Sequence, residues 1–167
     1  MSLGDKRLTD GTEDPKERTP PLSLLLAYAA MLPMAVGAAG AVATRSAGAA
    51  RLTQTWAGAV LCFLSGVRRG LAFRQAGGST VAQVASMFWL FVLGAGSLLS
   101  PRRVPALLLL LLGYGSEIVL DPAAARRGEA PRYFARLRPA QLLIPIAGLA
   151  LLLLCDRRFP REKSGRE

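Results

Sequence analysis

The sequence predicts an all-α membrane protein: a bundle of five transmembrane helices with a short interfacial segment before the last helix. Three observations predict it. Of 167 residues, 51% are hydrophobic, and the mean hydropathy is +0.33. Five stretches are free of Asp, Glu, Lys and Arg: Thr19 to Thr44, Leu52 to Val67, Gln75 to Pro101, Val104 to Ser116 and Pro139 to Cys155. Finally, the net charge of +10, carried by 21 Lys and Arg against 11 Asp and Glu, falls between and beside those stretches.

A span needs about 20 mostly apolar residues. The first and third stretches suffice alone. The second becomes long enough by running through Arg68 and Arg69 to Phe73, and the fourth by running through Glu117 to Leu120. Both extensions put charge at the lip of the membrane. A water-soluble bundle is excluded by periodicity, because Leu107 to Leu112 is unbroken leucine and Leu149 to Leu154 is broken only by Ala150. Neither run leaves the polar stripe that a helix in water presents.

Residues 1–18 carry five acids and four bases with Gly and Pro, too polar to bury a core, and are expected to be a disordered tail. The leader is acidic and the first apolar run too long for a cleaved signal peptide, so the first helix is expected to be a retained span with Pro20 and Pro21 at its start. The transmembrane domain covers residues 19–155, and residues 156–167 form a charged, mobile tail. Pro33, Pro105 and Pro145 are expected to bend or begin helices.

Small residues recur: Gly37, Gly40 and Ala41, Gly66 and Gly70, Gly94 and Gly96, Gly113 and Gly115. Lipid gives helices no hydrophobic drive to associate, so close approach at small residues is the usual substitute. Only Gly66 and Gly70 have GxxxG spacing, and they are expected to pack within the chain in preference to forming a homodimer.

Five spans put the N-terminal tail, the connection after span two and the connection after span four on one side. The short loops of that side hold eight bases against four opposite, which predicts a cytoplasmic N-terminus.

The chemistry available is narrow. Without His, the His-dependent triads, zinc sites and haem ligation are excluded. Cys62 and Cys155 lie in apolar runs and read as packing residues. No Walker loop, dinucleotide GxGxxG or HExxH motif occurs, and Ser65 and Ser116 lack an evident base. No enzyme activity and no cofactor are expected.

The polar cluster singled out is Arg68, Arg69, Glu117 and Asp121. The ends of spans two and four share a side, and Glu117 and Asp121, four apart, project from one helix face. Arg68 is expected to hydrogen-bond one of these carboxylates and tie the helices together. The functional alternative is a proton or ion relay. In the connection before span five, Arg132, Arg136 and Arg138 interleave with Tyr133, Phe134 and Leu137. That mixture suits an interfacial segment against anionic lipid, in preference to RNA.

Two stretches carry a family resemblance. Ala59-Val-Leu-Cys-Phe-Leu-Ser-Gly-Val-Arg-Arg-Gly-Leu-Ala72 resembles the pattern "aviLSFLgGirWGlal" of small polytopic membrane proteins related to mitochondrial transmembrane protein 69, a family of unknown function. Leu120-Asp121 followed by Pro131, Tyr133-Phe134 and Arg136-Leu137-Arg138 is similar to that family's Asp ending one helix and "WYrrLR" leading into the last. The likeness runs over about residues 22–155. It implies that Phe63, Gly66, Arg68, Gly70, Asp121, Tyr133, Leu137 and Arg138 hold the family's characteristic positions. Arg69 replaces the pattern's Trp and Ser65 its Gly. The resemblance implies a fold and brings no activity.

The functional expectation is a non-enzymatic accessory or scaffold protein of a membrane complex. Its environment is the lipid bilayer and its partners exclude nucleic acid. Transport of a small ion or metabolite by Glu117 and Asp121 is the alternative, and an enzyme acting on lipid ranks third. Richness in Ala, Leu and Arg suits a bacterial inner membrane.

Overall fold

A computed structural model of the chain describes residues 21–72, 78–130 and 134–159. The predicted N-terminal tail and most of the C-terminal tail lie outside the described residues. The described residues form five α-helices: α1 (Pro21–Thr44), α2 (Ala47–Ala72), α3 (Val81–Leu99), α4 (Arg103–Arg126) and α5 (Phe134–Leu154), followed by a 3₁₀ turn at Asp156–Arg158.

The helix ends are set by local chemistry. Arg45 adopts φ 52°, and behind it Arg45 N–H donates to Val42 O and Ser46 N–H to Ala41 O, which closes α1 in a Schellman turn. Ser46 then opens α2, its Oγ accepting from Ala49 N–H at 3.2 Å. The Thr80 hydroxyl accepts from Gln83 N–H while Gln83 Oε1 accepts from Thr80 N–H, a reciprocal cap on α3. Gly128, at φ 73°, ends α4 in a second Schellman turn, with Glu129 N–H donating to Ala124 O at 2.9 Å.

Helix α2 begins at Ala47 and not at Leu52, α3 begins at Val81 and not at Gln75, and two further boundaries differ from the sequence expectation. Helix α4 does not stop near Leu120 but continues through Pro122 to Arg126, and α5 begins at Phe134 and not at Pro139. The connection expected over Asp121 to Arg138 is therefore mostly helix. Pro139 joins Pro145 inside α5, as Pro33 sits inside α1, while Pro105 lies in the first turn of α4.

The helices pack as a closed ring in chain order, with α5 returning to α1 and α2 also reaching across to α4. Alternating direction makes α1 and α5 parallel neighbours. Gln141 donates to Ala27 O, and one contact further along the same pair Gly148 faces the Met34 backbone. Helices α2 and α4 are parallel in the same way, Tyr114 hydroxyl meeting Ala57 O and Arg68 meeting Glu117.

Apolar side chains fill the core and also cover much of the outside, with a few polar groups buried among them. Gln54, Ser97, Glu117 and Gln141 are buried, whereas Phe63, Phe91, Leu99 and Leu154 are exposed, Leu99 at 83%. Soluble proteins rarely show apolar walls this broad outside. Four helices, α1, α3, α4 and α5, are long and apolar enough to cross a membrane. Helix α2 is not among them, since it carries Arg51, Thr53, Gln54, Arg68 and Arg69. Thr53, Gln54 and Ser65 fall on a buried seam with Ala57, Leu61 and Leu64, while Arg51, Leu52, Trp56 and Phe63 are outward.

Glycines let neighbouring helices approach closely. A Cβ on Gly148 would sit 3.0 Å from Met34 O, and one on Gly94 would lie 2.7 Å from Cys62 Sγ. Gly58 abuts Ser97 and Leu98, and Gly113 abuts Leu61. The pair with GxxxG spacing behaves otherwise. Gly66 and Gly70 are exposed, and a Cβ at either would meet nothing within 4 Å among the described residues. Their expected role inside the chain is thus corrected: the phase of α2 that buries Leu61, Leu64 and Ser65 turns both glycines out.

Candidate functional site

The ends of α2 and α4 and the start of α5 meet at one lip of the bundle. Arg68 lies one turn before the end of α2, and Glu117 and Asp121 are one turn apart on the face of α4 turned towards it. Arg68 Nε donates to Glu117 Oε1 at 3.2 Å, one terminal nitrogen donates to Asp121 Oδ1, and the other to Ser86 Oγ of α3 at 3.4 Å. The guanidinium therefore ties α2 to α3 and α4 together. Its planar fork permits this, where a lysine ammonium offers only a point charge.

Arg138 supplies a second cation. Its Nε lies 3.2 Å from Asp121 Oδ2. That oxygen has no aligned hydrogen bond, so the contact is an ion pair set by proximity. Arg138 was expected among lipid-facing arginines, but it is buried. Starting α5 at Phe134 carries position 138 a full turn into the helix and rotates it inward. Of the other residues assigned to the interface, Arg136 is exposed, Arg132 and Tyr133 lie outside the described residues, and Phe134 is described only in its backbone. Arg69 points away from the cluster, donating to Ser79 Oγ at 2.9 Å.

Two arginines and two carboxylates thus meet in a quartet. Side-chain exposures are 13% for Arg68, 1% for Glu117, 8% for Asp121 and 10% for Arg138. Charges this deep persist only when paired, and removing one partner strands the others. Beside the quartet is a cavity of about 20 Å³, lined by residues that include Arg68, Ser86, Asp121 and Glu129. It has room for about one water. No metabolite fits there.

No family model, curated protein or solved structure matches this chain. The site therefore has to be read from its own geometry. Among the described residues, no group of three or more His, Cys, Asp or Glu is placed to hold a metal ion. Cys62 and Cys155 are free thiols.

Just outside the quartet, Arg127 grips Glu129 with two hydrogen bonds, Nε to Oε1 at 2.8 Å and a terminal nitrogen to Oε2 at 3.0 Å. Those bonds hold the Glu129 carboxyl below the ordinary carboxylate range, with smaller help from Gln83 and Arg68.

Sequence reasoning missed three polar links. Gln54 Nε2 donates to Ser97 O at 3.3 Å, Gln141 Nε2 to Ala27 O at 2.9 Å, and Trp56 Nε1 to Ala30 O at 3.0 Å. A signal was present, since Gln54 and Gln141 are amides inside stretches expected to cross a bilayer and need a partner there.

Proposed function

We propose that this is a multi-pass protein of a bacterial inner membrane that crosses it five times with its N-terminus in the cytoplasm. In this reading it acts as a non-enzymatic accessory or scaffold subunit of a membrane complex. Helix α2 is the fifth span, with Thr53, Gln54 and Ser65 turned in against its neighbours in the ring. The balance of bases in the short loops supports the orientation. Membership of the family related to mitochondrial transmembrane protein 69 belongs to the same proposal, supported by the meeting of Arg68 and Asp121, two of that pattern's positions.

One observation carries the scaffold reading. Gly58, Gly94, Gly113 and Gly148 are used up in contacts within the chain, but Gly66 and Gly70 stand open on the outer face of α2. Small residues four apart on a lipid-facing helix allow another backbone to approach closely. The quartet supports the same reading, because both carboxylates are already held by arginines. It latches the helices that present the ridge.

Gentle extraction from native membranes tests this. A stoichiometric membrane partner is expected, and Gly66→Leu with Gly70→Leu should strip it while leaving the fold intact. Ion or metabolite flux in liposomes that disappears with Asp121→Asn would replace the scaffold reading with a transport one.

A further inference from the structure

At the end of the bundle opposite the quartet, the turn between α1 and α2, the turn between α3 and α4, and the 3₁₀ turn enclose an open cavity of about 1190 Å³. Four guanidinium-bearing residues line it: Arg51, Arg102, Arg103 and Arg157. Asp156 is the only carboxylate among the lining residues. Four cations against one anion leave the cavity positive.

Arg103 is held in a set pose. One terminal nitrogen donates to Asp156 Oδ1 at 3.3 Å, and the guanidinium carbon lies 4.8 Å from the centre of the Phe159 ring, itself buried. In that pose its Nε–H is buried and donates to nothing among the described residues. A guanidinium donor without an acceptor is costly, and an incoming anion relieves that cost. Arg51 and Arg102 are exposed and their side chains make no hydrogen bond or ion pair among the described residues, so their donors are at hand.

The backbone adds to the field. Ala47 and Gly48 of the first turn of α2 and Arg103 and Val104 of the first turn of α4 also line the cavity. Neither first turn contains an acid, and α4 has no side-chain cap. The positive ends of two long helices thus share the space with four arginines.

We propose that this cavity binds a phosphate group. The carrier is either an anionic phospholipid headgroup or free phosphate, since guanidinium forks suit phosphate oxygens in both. Basic pockets at helix ends near the headgroups are the setting in which anionic lipids are recognised.

The test uses the full-length protein purified in a mild nonionic detergent. Native mass spectrometry counts bound phosphatidylglycerol and cardiolipin against phosphatidylcholine, and thermal melting is followed against sodium phosphate. Retention of the anionic lipids, weakened about tenfold or more by Arg103→Lys and by Arg51→Gln but not by Arg126→Gln at the other end, supports the site with a lipid carrier. Arg103→Lys keeps the charge and removes the fork, which separates recognition from bulk attraction. Stabilisation by sodium phosphate with the same dependence on those residues supports the site with free phosphate. No preference for either ligand, or equal weakening by Arg126→Gln, overturns it. Partner capture through Gly66 and Gly70 is scored separately, so failure of one reading leaves the other standing.

Discussion

Tyr114 donates its phenolic hydrogen to the carbonyl oxygen of Ala57 across 2.8 Å, in the fully buried centre of the bundle. The acceptor lies within α2, so this bond is added to a helical ladder. Its loss leaves no bare carbonyl. Tyr114→Phe should therefore cost only about 0.6–1.7 kcal/mol, the range measured for polar links between helices in membranes. Unfolding in a graded denaturing detergent measures it, and a loss well above that range would mean that Tyr114 carries more than this one bond.

The quartet should respond more strongly. Arg68→Leu strands Glu117 and leaves Asp121 only Arg138, at a cost of about 3–5 kcal/mol for a broken buried pair. Adding Glu117→Gln to Arg68→Leu should recover part of that loss, because Asp121 and Arg138 then remain as a matched pair. A simple sum of the separate losses in a double-mutant cycle would show that the residues do not act as one cluster.

The two Schellman turns differ in one residue and make opposite predictions. Arg45 occupies a left-handed conformation that favours glycine, so Arg45→Gly should raise stability by up to about 1 kcal/mol. Gly128→Ala places a side chain in the same region of backbone space and should lower stability by about the same amount. Parallel melts of the two variants decide the matter.

Acid should loosen the lip near Glu129. The folded-state carboxyl titrates below its unfolded value of roughly 4.3. Its contribution is present above that pH and is lost as pH falls through the folded value. Melting temperature should fall as the pH drops below about 4.3, and Arg127→Gln should flatten that slope. An unchanged slope would remove Glu129 from the account of acid stability.

Much of this architecture is legible in the chain because lipid demands long apolar runs, and Leu107 to Leu112 has no alternative use. Arg68, Glu117 and Asp121 are legible for a related reason, since charges at matched depth in a membrane lip need one another. Arg138 is not. It stands among Arg132 and Arg136 with nothing local to show which one turns inward, and Pro139 resembles a helix start. Its role depends on α5 beginning five residues earlier. Gln141 and Ala27 lie 114 residues apart, and their bond follows from ring closure, which no local pattern encodes. The outward turn of Gly66 and Gly70 likewise follows from which face of α2 the other helices bury.

The parallel pairing of α1 with α5 has a consequence for biogenesis. The helix made last must slot in beside the one made first, and it brings Gln141 for Ala27, Gly148 for the Met34 backbone and Arg138 for Asp121. Until it arrives, the nascent chain has an unsealed wall with Asp121 short of a counter-ion. A product stalled before α5 would therefore display, within the bilayer, the kind of unmatched polar group by which membrane proteases and insertases tell unfinished chains from finished ones.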